Sequence, residues 1–318
     1  MVSRDRLERH QVWLYLVAVG MGLTLGATWG DAETLDMLLW PVLGLLLFVT
    51  FTQVPLLHVA AAFRDRRFMT AVLIGNFVVI PIMVAAMIWF LPADPVLRLG
   101  VVMVLLMPCT DWYITFTHLS GGDTGRAIAV TPVNLLVQIA LLPVYLWAFM
   151  GDSFHEILAA GSIATVFVTL ILMPLLAAWL LERWATRSVP AGQVIDALGW
   201  LPVPLLALVV FLIAASQAQT VFGSLPLLVG ATPIFIVFLI ASVALGLLIS
   251  RAAGFDIGQS RALVLSYGTR NSFVILPLAL ALPAQWQGAT VVIVYQSLVE
   301  LLGLLVLLWV LPRLVRAG

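Results

Sequence analysis

Three ionisable side chains, Asp111, Arg270 and Glu300, stand near the centres of long apolar runs. Even lenient insertion scales charge about 2.5–3.5 kcal/mol for one such residue at the centre of a membrane helix, so a charge kept there is read as functional. Glu300 can carry a proton. Arg270 can clamp an anion through its planar guanidinium. Asp111 and Arg270 can form a pair that opens and closes, or one that only ties two helices together. Cys109 and Thr110 directly follow Pro108, and Asn271 and Ser272 directly follow Arg270. A thiolate is a soft ligand suited to soft metals and metalloids, although a lone buried cysteine also serves as inert packing. The hydroxyls and amides of Thr110, Asn271 and Ser272 can bind the oxygens of a solute. Asn134 with Gln138, and Gln296 with Glu300, are each four residues apart and share a helix face. Such stripes can couple an ion or proton, or can glue helices together. No metal-ligand cluster or nucleophile–base spacing is present, because His10, His58, His118 and His155 lie at or near the ends of apolar runs. The sequence therefore offers no catalytic centre, no metal site and no cofactor.

The elements that carry these residues must lie in lipid. Of 318 residues, 63% are hydrophobic and only 9% charged, with mean hydropathy +1.14. Soluble domains carry about a quarter charged residues. A span needs about 20 apolar residues, and apolar runs fall at 11–30, 37–60, 68–91, 97–119, 125–149, 156–181, 198–219, 225–250, 259–282 and 288–312. An open chain can cross lipid only as helices, and these uniformly apolar runs lack the alternation of a membrane β-barrel. The fold class expected is an all-α polytopic membrane protein of about ten transmembrane helices. Val12–Trp29 is longer than a signal-peptide core and no small-residue cleavage site follows, so it reads as a retained first span. A net charge of zero gives no footprint for nucleic acid.

All 15 basic residues are arginines. With the N-terminus inside, 13 of them fall in cytoplasmic segments, while outer loops hold Arg98 with Asp31, Glu33, Asp94, Asp152 and Glu156. The positive-inside rule then places the chain in the cell (inner) membrane with both termini cytoplasmic.

The chain also repeats itself. A shift of 162 residues lays Pro132–Trp147 on Val294–Trp309, with Asn134 falling on Gln296 and Gln138 on Glu300. Coincident polar positions are harder to obtain by chance than apolar ones. The repeat divides the chain into two five-helix halves, 1–150 and 151–318. An odd-numbered unit enters the membrane in the opposite sense the second time, and inverted repeats mark secondary transporters with a midplane site. Spans four and nine, which occupy matching places, are both interrupted, at Pro108 and at Gly268-Thr269-Arg270-Asn271-Ser272. Half-helices after the breaks would turn their N-terminal amides toward the midplane.

At these residues the sequence resembles the bile acid:sodium symporter superfamily, in its ten spans, its five-plus-five repeat and its crossed broken helices four and nine. Pro108-Cys109-Thr110 resembles the Pro-Cys-Thr motif of the arsenite-efflux permease branch, and Leu298-Val299-Glu300 its last-helix glutamate motif. The resemblance implies transport roles for Cys109 and Glu300. Two positions depart from that branch: Asp111 stands where a small residue is usual, and Leu301-Leu302 replaces a valine-proline. Asn271-Ser272 matches the sodium-coupled branch, but that branch's sodium-binding glutamate falls on Ser266 and its glutamine on Arg270. A guanidinium is hostile to a bound Na⁺, which favours protons as the coupling ion.

Together these readings give a secondary active transporter exporting arsenite or a related trivalent oxyacid against protons. Substrate binding is expected at Cys109, Thr110, Asp111, Arg270, Asn271 and Ser272. Coupling is expected at Glu300, Asn134, Gln138 and Gln296. The alternative is an ion-coupled carrier of a small organic anion with Arg270 as the clamp.

Overall fold

The computed structural model describes residues 4–28, 32–58, 64–110, 112–151 and 162–316; Asp111 and the start of the sixth apolar run lie outside them. The apolar runs become helices α1 (Arg4–Thr28), α2 (Ala32–Thr52), α3 (Arg66–Ile88), α4 (Pro95–Leu105), α5 (Trp112–Leu119) and α6 (Thr124–Met150). These are followed by α7 (162–185), α8 (Val189–Leu198), α9 (Pro202–Ser216), α10 (Ala218–Ala253), α11 (Ile257–Gly268), α12 (Ser272–Leu280) and α13 (Gly288–Leu314). Among the described residues there is no strand, only an isolated bridge between Pro108 and Arg270.

Six of the described helices are long and apolar enough to cross a membrane, or seven if α8 and α9, bent by 43°, form one span. The expected ten is therefore not reached by continuous helices. The shortfall falls on Met37–Thr52, a shorter apolar helix, and on the fourth and ninth runs, which are split at their centres. Helix α10 also begins earlier than its apolar run suggests. Its 36 residues extend about 54 Å, well beyond a hydrocarbon core of about 30 Å.

Aspartates set the helix starts. Asp65, Asp94, Asp123 and Asp256 each stand at an N-cap, accepting an amide hydrogen from the first turn of α3, α4, α6 and α11. Asp256 and Gln259 complete a capping box.

Two groups of helices result. In one, α1, α2, α7 and α9 pack together; in the other, α3, α4, α5, α6, α10, α11, α12 and α13 surround the two split spans. Gly22 and Gly26 let α1 lie directly on α9, since a Cβ there would fall 2.4 and 2.1 Å from the carbonyl oxygens of Phe211 and Ala215. The outer helices need lipid: over an 18-residue stretch of Ala164–Ala185 only 11% of residues are buried. Trp89 and Phe90 are more than 80% exposed. In water such faces would be aggregation surfaces.

Candidate functional site

The two split spans meet at their breaks. The Cys109 amide donates to the Thr269 carbonyl at 3.1 Å, and the Asn271 amide donates to the Met107 carbonyl at 2.8 Å. The interruptions at Pro108 and Gly268–Asn271 thus satisfy part of each other's backbone, as lipid-depth irregular chain requires. Asn271 caps the second half of its span: its Oδ1 accepts from the Val274 amide at 3.2 Å, while its Nδ2 donates to Thr110 Oγ1 at 3.1 Å. One amide therefore joins both breaks.

Arg270 is 1% exposed. The break diverts the backbone amides of Arg270 and Asn271 away from α11, which leaves the Ser266 and Tyr267 carbonyls without their helical donors. The Arg270 guanidinium folds back onto both, with Nη2 at 2.9 and 2.8 Å. Nη2 also donates to Asn76 Oδ1 at 2.9 Å, and Nη1 reaches the Leu105 carbonyl at the end of α4 at 3.3 Å. A fixed cation therefore caps the negative ends of both first half-helices. The Phe238 ring lies 5.4 Å from its Cζ. Its hydrogen-bond partners among the described residues are neutral oxygens. The proposed partner Asp111 lies outside the described residues.

Glu300 on α13 is 5% exposed and reaches the crossover through the backbone of Arg270, whose amide donates to Oε1 at 2.9 Å. Gln296 Nε2 donates to the other carboxyl oxygen at 2.7 Å. Ser272 Oγ donates to Gln296 Oε1 at 3.5 Å, and the Ser297 hydroxyl donates to Ser272 Oγ at 2.6 Å. Four side chains thus form one polar chain from α13 to the first turn of α12.

The structure does not bring the other amide stripe into this chain. Asn134 and Gln138 on α6 are fully buried, and among the described residues neither end of either amide has a hydrogen-bond partner. Helix α6 packs against α4, α5 and α11, the first halves and one second half of the split spans.

A cavity of about 340 Å³ opens against the crossover, walled by Thr110 and Thr115 with Gln11, Thr50 and Gln53 facing them. Trp112 and Phe273, the first-turn aromatics of α5 and α12, meet edge to face at 5.2 Å on its border, and Tyr15 of α1 stacks on Trp112 at 6.3 Å. Among the described residues no charged side chain lines this space. Thr110 faces it; Cys109, 2% exposed, and Arg270 do not line it.

One central residue escapes the sequence reading. Asn76 lies in a π-helical turn of α3 (Gly75–Val79), fully buried. Its Nδ2 donates to Ser266 Oγ at 2.9 Å while its Oδ1 holds Arg270. Two tyrosines fasten this turn: Tyr267 donates to the Ala71 carbonyl at 2.5 Å and Tyr145 to the Phe77 carbonyl at 2.7 Å. Gly75 is required beside them, since a Cβ there would lie 2.0 Å from the Tyr267 hydroxyl oxygen. A lone amide inside an apolar run was the available signal.

Apolar helices with exposed lipid-type faces, and buried polar groups gathered where two interrupted helices cross, define a multi-pass membrane transporter. Residues 40–224 match the model of the Sodium Bile acid symporter family, and the chain belongs to that family. It is also similar to the Arsenical-resistance protein Acr3 of Corynebacterium glutamicum, 31% identical over 87 residues. That match covers 27% of this chain and 24% of the relative's length.

Proposed function

We propose that this protein is a proton-coupled secondary exporter of arsenite or a related trivalent oxyacid, built as ten spans in two inverted five-helix halves, 1–150 and 151–318, in the inner membrane with both termini cytoplasmic. The observation that carries the reading is the polar chain Ser297–Ser272–Gln296–Glu300 ending on the Arg270 amide. A buried carboxyl thereby meets the backbone of the crossover, whose Thr110 lines the cavity. Adding Met37–Thr52 and the two split spans to the seven continuous or bent ones accounts for the ten. The two last helices pack reciprocally, α13 on α4 and α6 on α11, as inverted symmetry requires.

In this mechanism the solute enters the cavity and meets Thr110, with Asn271 and Ser272 behind it. The breaks lend it backbone amides. A trivalent oxyacid is neutral at physiological pH, which suits a lining without charge. Cys109 offers a transient soft contact once the crossover rearranges; a single thiolate allows release. Glu300 carries the proton. As a carboxylate it accepts from Arg270 and Gln296. As an acid it needs an acceptor, which Gln296 provides by turning its amide oxygen toward it. Arg270 holds the oxygen cage that a coupling cation would otherwise fill, which favours H⁺ over Na⁺. Asn134 and Gln138 join the coupling path from α6, and Asp111, which follows Thr110 in the sequence, is assigned to substrate binding. The relative's name, an arsenical-resistance protein, supports this substrate class.

The organic-anion reading draws support from the cavity's size and its aromatic border, which suit a larger apolar body. It would need a cation on the wall, and Arg270 is turned away from the cavity.

The test is arsenite uptake into everted vesicles energised by a pH gradient. One proton moved across 100 mV gives about 2.3 kcal/mol, or roughly 50-fold accumulation. Wild type should reach accumulation of that order. Cys109→Ala should lose arsenite uptake, and Glu300→Gln should show roughly onefold accumulation while still exchanging labelled for unlabelled solute. Gradient-driven uptake by Glu300→Gln would remove Glu300 from coupling. No uptake by the folded wild type would move the assignment to an organic anion.

A further inference from the structure

We propose that a groove between the first turns of α3 and α6 binds the phosphate headgroup of an anionic phospholipid. This inference needs only that the chain sits in a membrane and is independent of the transported solute. The groove has a volume of about 600 Å³ and lies where two membrane-crossing helices begin, at Arg66 and Thr124. Its rim carries Arg64, Arg66 and Arg67, all exposed.

The nearby carboxylates are already engaged. Asp65 accepts from the Phe68 amide, from Arg126 Nε at 2.8 Å and from Gln259 at 3.1 Å. Asp123 accepts from the Arg126 amide and its guanidinium. Among the described residues, the ion pairs at this end all involve Arg126. Among the described residues, the three guanidinium groups on the rim thus have no carboxylate in an ion pair with them. The helix starts themselves are capped by Asp65 and Asp123, so the arginines and not the helix ends supply the attraction.

The walls change character with depth. Phe68, Ala129 and Val130 line the inner part. Val130 lies six residues beyond Thr124, about 9 Å along the helix. A charged rim followed within about two turns by an apolar floor fits a phosphodiester with acyl chains attached. A small inorganic anion would use only the rim. Basic pockets between membrane helices recognise anionic headgroups in this way, and guanidinium is the side chain suited to phosphate.

The experiment titrates phosphatidylglycerol, and phosphatidylcholine in parallel, into the purified full-length protein in a neutral detergent, reading bound lipid by native mass spectrometry. Wild type should hold phosphatidylglycerol saturably and in preference to phosphatidylcholine. The double variant Arg66→Gln/Arg67→Gln should lose about 25-fold in affinity, at roughly fivefold for each arginine near an anionic surface. Arg66→Lys/Arg67→Lys should recover part of it. Arg251→Gln, an exposed arginine outside the groove, should bind as wild type does. Thermal unfolding in phosphatidylcholine alone shows that each variant is folded. Equal losses in Arg251→Gln and the double variant would make the effect general surface charge and overturn the site. Displacement of the lipid by millimolar inorganic phosphate would assign the rim to a small anion and overturn the lipid as its occupant.

Discussion

The last helix of each sequence half carries a polar stripe of the same spacing, yet the two are wired differently. On α13, both oxygens of Glu300 and both ends of Gln296 are engaged, and the chain continues to Ser272 and Ser297. On α6, Asn134 and Gln138 are as deeply buried, but all four polar ends lack a partner among the described residues. Leaving a buried donor or acceptor unmade costs about 1–3 kcal/mol. The contrast separates a stripe whose polar ends are all met from one whose four polar ends are unmet among the described residues. In the transport reading proposed above, both stripes serve coupling, but only the one on α13 is also tied into the crossover by the chain's own groups.

The largest expected effect falls on Arg270, the cation at the crossing of the split spans. Arg270→Gln removes a cation from the carbonyls of Leu105, Ser266 and Tyr267 and from Asn76. Breaking a buried charge arrangement by removing one member typically costs about 3–5 kcal/mol. The thermal midpoint in detergent should fall steeply, and transport should vanish for a neutral oxyacid and an organic anion alike. Arg270→Lys should restore only part of the stability, because a point charge cannot span α4, α11 and Asn76 together. Loss of organic-anion movement with oxyacid transport intact would instead make Arg270 a substrate clamp.

The second test concerns the incomplete stripe. Asn134→Leu with Gln138→Met replaces two amides by apolar groups of similar volume. If nothing outside the chain meets the amides, the exchange relieves unmade hydrogen bonds and should raise stability by about 1–3 kcal/mol. The expected result is the opposite sign: unchanged or lower stability, with vesicle transport reduced several-fold. The same design on α13, Gln296→Met, should lower stability by about 1 kcal/mol, since it strips a made bond from Glu300. Stabilisation of the α6 variant with full transport would erase the distinction between the stripes.

Much of this arrangement is legible in the residues. Apolar runs located every long helix, and Pro108 with Gly268–Asn271 marked both breaks, because proline and a cluster of polar residues cannot continue a helix in lipid. Glu300, Arg270, Asn271 and Ser272 could be gathered from their depth alone. What stayed hidden depends on how backbone groups are diverted. The Arg270 side chain turns onto carbonyls that exist as acceptors only because the Arg270 and Asn271 amides leave the helix for Glu300 and Met107. Asn76 matters because a π-helical turn aims it inward, and hydropathy does not register such a turn. Helix α10 runs through the expected break at 220–224, because a helix satisfies its own backbone there at less cost than a loop would.

The smallest effect asks whether α6 differs from α13 merely by being loosely held. Both are tied to α11 at the same end of the bundle: α13 by Arg261, which donates to the Val315 carbonyl at 2.9 Å, and α6 through the Asp65–Arg126–Asp123 cluster with Gln259. Burial pushes the Asp65 carboxyl up, but the Phe68 amide, the Arg126 guanidinium and the Gln259 amide outweigh it and hold the group below its usual value. A carboxyl whose folded pKa lies below its unfolded one contributes stability above the unfolded value, about 3.9 for aspartate, and loses it as pH falls through the folded one. The partners are about a third exposed, 36% for Arg126 and 30% for Asp65, so the tie is worth under about 1 kcal/mol. Asp65→Asn should therefore lower the thermal midpoint slightly at pH 7, with the gap to wild type closing below about pH 4, and should leave the response to Asn134→Leu with Gln138→Met unchanged. If loosening this end instead abolished the difference between the two stripes, the empty amides of α6 would reflect helix placement and not a partner from outside the chain.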